Sequence, residues 1–324
     1  MMLLLLFFAT QSLVFALDYK KPVEFACVHD QSQTKFNNFA IGLKTATKKA
    51  IDGMVGNRKR INLHFLGYEN ELQNSSVSNF QAAKEFMKSS NVAVCLVQYA
   101  YRSGDHLDDP NWYQNLIKER SSFVADVALD FIVTINRIKK VSLDNVFLSG
   151  FCLGCNVAAM VGEKVKDRFF GKPISKVGVL TAIDPPRAGF SERGANRVNK
   201  LNAAFVIGIH TSTQSYTESF GHVDIYVNDR EQFSPGCKDQ SACSHLVGHD
   251  LYKFIVAKSK ALPSINGNPV AFKDPKCAKK VCKEGDHFVI SLTDIVTDTK
   301  KYGDYFLNTG DIFEKPSEEL IGIH

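Results

Sequence analysis

Short apolar runs alternate with amphipathic stretches along most of this chain. Ile61 to Leu66, Val92 to Tyr99, Val146 to Leu148, Val177 to Ala182, Phe205 to His210 and Val223 to Val227 are strand candidates, and several are the continuous apolar runs that parallel strands buried on both faces produce. Between them the spacing changes to three and four. Leu116, Arg120, Val124, Val127, Phe131, Ile135 and Ile138 fall on one stripe, which predicts a helix laid against a sheet. A second helix is predicted from Cys155 to about Lys166, and a third carries Leu246, Val247, Asp250, Leu251, Phe254 and Ile255. Phe288 to Val296 and Tyr305 to Leu307 read as terminal strands. This alternation predicts an α/β fold, a mostly parallel central sheet with helices on both faces. With no internal repeat or low-complexity linker, one domain is the economical reading.

Within that pattern the segment Asn145 to Val161 predicts a strand, a tight turn and a helix, with Gly150-Phe151-Cys152-Leu153-Gly154 at the turn. This is a nucleophile elbow in which cysteine stands where serine is usual; its glycines are needed because the strained turn brings backbone close to strand and helix. A free cysteine is also a common small buried hydrophobe, so the motif needs partners. Ile183-Asp184-Pro185-Pro186 supplies a carboxylate at a strand end, and Cys243-Ser244-His245 supplies a histidine just before the third helix. Nucleophile, acid and histidine follow one another in the order used by α/β-hydrolases. In that scheme Asp184 orients His245, His245 moves the proton, and the amide of Leu153 helps to hold an oxyanion. Cys152-Leu153-Gly154-Cys155 is also a Cys-x-x-Cys at a helix start, a placement that suits redox thiols. The alternative is that Cys155 packs the elbow helix against its strand.

Composition changes the picture in three places. Met1 to Ala16 is an apolar stretch ending in Val14-Phe15-Ala16, with small residues where signal peptidase needs them; it reads as a secretion signal, with the domain occupying 17–324. Eight cysteines in an exported chain suggest disulfides. The formal charge of +5 is too mild to suggest nucleic acid. Lys273, Lys276, Lys279, Lys280 and Lys283 are nonetheless grouped, either as a solvated loop or as a contact for anionic lipid or a heparin-like polymer. Asn74-Ser75-Ser76 is a glycosylation sequon.

Taken together, these motifs resemble the pancreatic lipase family of secreted lipases and phospholipases A1. The resemblance rests on Leu-Ser-Gly-Phe-Cys-Leu-Gly, Thr-Ala-Ile-Asp-Pro, Ile209-His210-Thr211, Gly221-His222-Val223-Asp224-Ile225-Tyr226, Ser234-Pro235-Gly236-Cys237 and Cys243-Ser244-His245, in that order. It implies an α/β-hydrolase fold, a carboxylic-ester hydrolase with a Cys152, His245, Asp184 triad, a lipid or phospholipid ester as substrate, and no cofactor or metal. It also implies disulfides Cys237–Cys243, closing a lid, Cys277–Cys282, and Cys27–Cys95. The lid interval Lys238 to Ala242 is short, which resembles the phospholipase A1 branch, and the length leaves no room for a C-terminal β-sandwich domain. The family's His-Gly-Phe segment aligns with His64-Phe65-Leu66, making Leu66 the second oxyanion donor and putting Phe65 where glycine is expected. Phe151 stands where relatives have histidine. The alternative to a hydrolase is an inactive relative serving as a lipid-binding, carrier or yolk-type storage protein.

Overall fold

A computed structural model describes residues 19–68, 76–99, 112–190, 197–228, 237, 241–279 and 286–310. The 1–16 leader and the Asn74 sequon lie outside the described residues. In chain order come β1 (Val23–Val28), β2 (Asn37–Ile41), α1 (Lys48–Val55), β3 (Ile61–Phe65), α2 (Ser76–Ser90) and β4 (Ala93–Gln98). Then follow α3 (Trp112–Asn115), α4 (Ser121–Lys139), β5 (Val146–Phe151), α5 (Leu153–Arg168), β6 (Val179–Ile183), β7 (Phe205–His210) and β8 (Val223–Val227). The chain continues through α6 (Ser241–Val256), β9 (Ser264–Ile265), β10 (Asn268–Phe272), α7 (Pro275–Lys279), β11 (His287–Val289) and β12 (Gly303–Leu307).

The strands join in the order β11-β10-β12-β8-β7-β6-β5-β3-β4-β1-β2, with β9 paired to β10. From β12 to β4 every neighbouring pair is parallel, and the pairs beyond each end are antiparallel. The central strands are buried along their whole length, as their unbroken apolar runs require. One face of the sheet is covered by α1, α4 and α5, which bury Ile51, Phe131 and Val157 there. On the other face α2 and α6 bury Phe86, Leu251 and Phe254. This is the α/β-hydrolase fold.

The long amphipathic stripe is realised with one change. Leu116–Arg120 forms a single wide π-helical turn before α4 begins, and Arg120 is buried. Its guanidinium donates to the carbonyls of Tyr99, Tyr19 and Pro22 at 2.9, 3.3 and 3.2 Å, and to that of Lys21. A buried cation is tolerable only when its donors are satisfied in this way. The apolar run from Phe288, read as a terminal strand to Val296, is strand only through Val289 and then turns away. The antiparallel pair β1 and β2 was not foreseen; β1 reaches the sheet through a disulfide between directly opposed residues, Cys27 and Cys95.

Backbone crowding explains the elbow's glycines. A Cβ on Gly154 would lie 2.1 Å from the Phe65 carbonyl oxygen, and one on Gly150 would lie 2.4 Å from Gly154 backbone. β3, β5 and the first turn of α5 therefore meet at a separation no side chain can enter. Replacing Gly154 by alanine is expected to cost roughly 3 kcal/mol in urea unfolding. Gly171→Ala, where nothing lies within 4 Å of the added atom, is expected to cost only the roughly 1 kcal/mol of a left-handed non-glycine residue.

Candidate active site

Cys152 occupies the single residue between β5 and α5, with φ 54° and ψ −131°. The conformation is costly for a residue with a Cβ, by roughly 1–3 kcal/mol, and it is held by the glycine contacts and by the Cys152 amide donating to the Ile183 carbonyl at 3.0 Å. The thiol is free and partly exposed. Leu153 follows as the first residue of α5, where an amide has no intrahelical acceptor and the helix dipole favours negative charge.

Asp184 ends β6 in a second left-handed conformation, φ 53°, and is fully buried. Oδ2 lies 2.6 Å from His245 Nδ1. The remaining lone pairs are met by the loop after β7: the amides of Thr211 and Ser212 donate to Oδ1 at 2.6 and 2.9 Å, and the Ser212 hydroxyl donates to Oδ2 at 2.5 Å. A carboxylate buried this deeply survives because each oxygen accepts from a fixed donor. Thr211 and Ser212 were not foreseen as site residues. The sequence signals were the Ile209-His210-Thr211 motif and a pair of small hydroxyl residues directly after an apolar strand.

His245 sits in the first turns of α6, beside the disulfide Cys237–Cys243, whose closure shortens the approach to the helix. Burial alone would lower its pKa, but hydrogen bonds to Asp184 and Cys152, and the charges on both, outweigh burial and raise it to about 10. At neutral pH the imidazole therefore carries its proton while facing the sulfur. Phe151, in place of the family's histidine, packs against the His245 ring at 4.9 Å and against His249 at 5.8 Å. His249 is buried, and burial with nearby Lys253 lowers its pKa to about 4.

Cys155 takes the packing role. Its buried thiol donates to the Gly150 and Ile183 carbonyls at 3.1 and 3.2 Å, and burial raises its pKa well above the ordinary thiol value. Cys152 and Cys155 are both free, so no disulfide joins them. Cys277 is disulfide-bonded, and Cys282, its expected partner, lies outside the described residues.

The expectation for Leu66 needs correction. Its amide donates to the Val97 carbonyl at 3.1 Å, continuing the ladder to β4, and is spent. His64 also points away from the elbow: it is buried, Nδ1 lies 3.0 Å from the Ser149 hydroxyl, and its ring stacks on Tyr252 at 3.6 Å. Phe65 lies opposite Gly150 in the ladder, and the carbonyls of Phe65 and Leu66 stand against Gly154. The next glycine is Gly67, two places later than the alignment put it.

Beside the donors to Asp184, a cavity of about 240 Å³ opens between Thr211 to Thr217 and Tyr226 with Val227. Of the lysine group, Lys273 is exposed, its Nζ donating to the Tyr302 carbonyl at 3.2 Å and lying over the Tyr305 ring. Lys276 is exposed, while Lys280 and Lys283 lie outside the described residues. Among the described residues no helix is long and apolar enough to cross a membrane.

The chain is similar in sequence to several known proteins. Lipase member H of Mus musculus is 34% identical over 117 residues, 35% of this chain and 24% of that protein. Phospholipase A1 of Vespula maculifrons is 34% identical over 110 residues, 33% of this chain and 35% of that protein. Lipoprotein lipase of Rattus norvegicus is 32% identical over 156 residues, 46% of this chain and 29% of that protein. The matched segments thus span between about a quarter and a third of these relatives' lengths. The solved hyperthermophilic esterase of Pyrobaculum calidifontis covers 52% of this chain and 46% of its own, at 14% identity and a TM-score of 0.30. The sequence profile of the Lipase family matches residues 20–313, and the chain belongs to that family.

Proposed function

We propose that this protein is a secreted lipid-ester hydrolase of the phospholipase A1 type, working through Cys152, His245 and Asp184. The observation that carries this is the 2.6 Å pair between His245 and a fully satisfied Asp184, facing a partly exposed thiol on a strained elbow. A chain free of catalytic demand has no physical reason to keep a buried acid, its three donors and a histidine in register.

In this mechanism the imidazolium of His245 stabilises negative charge on the Cys152 sulfur, which attacks the ester carbonyl carbon. The carbonyl electron pair moves onto oxygen, held by the Leu153 amide and a second amide, for which Tyr68, next after Gly67, is the candidate in place of Leu66. As the carbon–oxygen bond to the alcohol breaks, His245 gives its proton to the leaving oxygen and a thioester remains. Water then gives a proton to His245 and attacks the thioester, and the thiolate is released with the fatty acid. Asp184 keeps the ring oriented throughout. Sulfur and a histidine that stays protonated at neutral pH suit one another, whereas a serine would need the neutral ring as base. Peripheral contact with anionic lipid or glycosaminoglycan through Lys273, Lys276, Lys279, Lys280 and Lys283 belongs to the same reading.

Brief exposure to a p-nitrophenyl ester followed by peptide mass spectrometry is expected to find an acyl group on Cys152 that is absent in His245→Ala. A folded protein with a free, unlabelled Cys152 would leave the lipid-carrier or storage reading instead. Cys152→Ser is expected to lower ester turnover at least ~10-fold, since a pocket misfit of a fraction of an ångström carries a cost of that size; a rise would mean a pocket still shaped for oxygen. Because the folded His245 pKa lies above its ordinary value, its contribution to stability is present in full below about pH 6.5 and is lost as pH rises through about 10. The gap in thermal midpoint between wild type and His245→Ala should therefore narrow across that window, as measured by differential scanning calorimetry.

A further inference from the structure

A second histidine–carboxylate pair lies next to the site. His210, the last residue of β7, is buried with Nε2 2.8 Å from Asp224 Oδ1 on β8 and Nδ1 3.0 Å from the Tyr216 carbonyl. Both ring nitrogens are thus engaged, one by a carboxylate and the other by a backbone carbonyl. Its faces are fixed as well, stacked on Tyr226 at 4.4 Å and packed against Phe220 at 5.1 Å. Asp224 also accepts from the amides of Phe220 and Gly221, at 3.1 and 2.9 Å. Room for this carboxylate is made on the neighbouring strand, where a Cβ on Gly208 would lie 2.3 Å from Asp224 Oδ1.

The position of this pair decides what it does. The two residues immediately after His210 are Thr211 and Ser212, whose three donors hold Asp184. The loop they begin returns past Asp184: Arg187 donates to the Gln214 carbonyl and Tyr216 to the Pro185 carbonyl, at 3.1 and 3.3 Å. It is then tied back to His210 through the Tyr216 carbonyl. The strap over Asp184 is thus pinned at both ends by one imidazole ring, and that ring is pinned by Asp224.

We propose that His210 and Asp224 are positioning residues for the triad: they fix the direction of the Thr211 and Ser212 donors, and through them the orientation of Asp184 against His245. The inference rests on the proposed role of Asp184 and His245.

The test uses Asp224→Asn, whose amide cannot accept from both the Phe220 and Gly221 N–H groups, and Tyr226→Leu, which frees a face of the ring without leaving a buried charge unpaired. Three properties of the folded fraction are read: the strongly deshielded proton resonance of the short His245–Asp184 hydrogen bond, the pH profile of Cys152 alkylation by iodoacetamide, and kcat and KM on a short ester. The expected result is a shifted or broadened resonance, an alkylation midpoint moved toward higher pH, and kcat reduced roughly 10- to 100-fold with KM within about twofold, the larger change in Asp224→Asn. If Asp224→Asn does not fold, Tyr226→Leu decides by the same readouts. Folded variants with the wild-type resonance and alkylation profile would overturn the proposal, since lost stability alone moves neither. A wild type that shows the resonance and responds to the substitutions but cleaves no ester would refute the hydrolase reading and leave the positioning role standing.

Discussion

The site depends on how closely three backbones approach one another where β3, β5 and α5 meet. Phe65 carbonyl oxygen, Gly150 and Gly154 are so near that only hydrogen fits between them, and this crowding forces the intervening residue out of the ordinary conformations. Cys152 is thereby set at the turn between strand and helix with its amide tied to β6 and its sulfur partly exposed. Everything else at the site is arranged about a point that the backbone has already chosen. The acid is placed in a similar way: Asp184 leaves β6 with positive φ and its amide donates to Ile209 of β7 at 2.7 Å. Two strained residues on adjacent strands are held by the rigid sheet between them, which is the condition under which such strain persists at functional sites.

Burial decides how charges behave around that point. His245 and His249 lie one helical turn apart on α6 and both touch Phe151, yet one is pushed up and the other down. The difference is the carboxylate and sulfur that face His245 and do not face His249. The same contrast separates the two elbow cysteines. Cys155 is sealed beneath the turn, donating to carbonyls as a neutral thiol, whereas Cys152 is open to reagents. A Cys-x-x-Cys spelling therefore describes two environments rather than one redox unit.

Much of this was legible in the chain because parallel strands buried on both faces write themselves as apolar runs, and the elbow writes itself as paired glycines. Cys152, Asp184 and His245 stood out because each is a polar residue at the end of such a run or the start of a helix. Leu66 misled because His64 looks like a motif residue; the register of β3 against β5, which decides where the chain leaves the sheet, is a tertiary property with no local signature. Thr211 and Ser212 were hidden for a related reason, since two of their three donors to Asp184 are backbone amides that any residue could supply. The antiparallel edge β1–β2 escaped notice because Val23 to Val28 carries a glutamate and is held partly by a cross-strand disulfide rather than by pattern alone.

The carbonyls gathered around Arg120 also impose an order in time. Tyr19, Lys21 and Pro22 reach their guanidinium across about a hundred positions of sequence, so during synthesis these contacts form only once the turn before α4 has emerged. Once Arg120 arrives the segment ahead of β1 is drawn into the body of the molecule, and a late cut there would have to expose a buried cation.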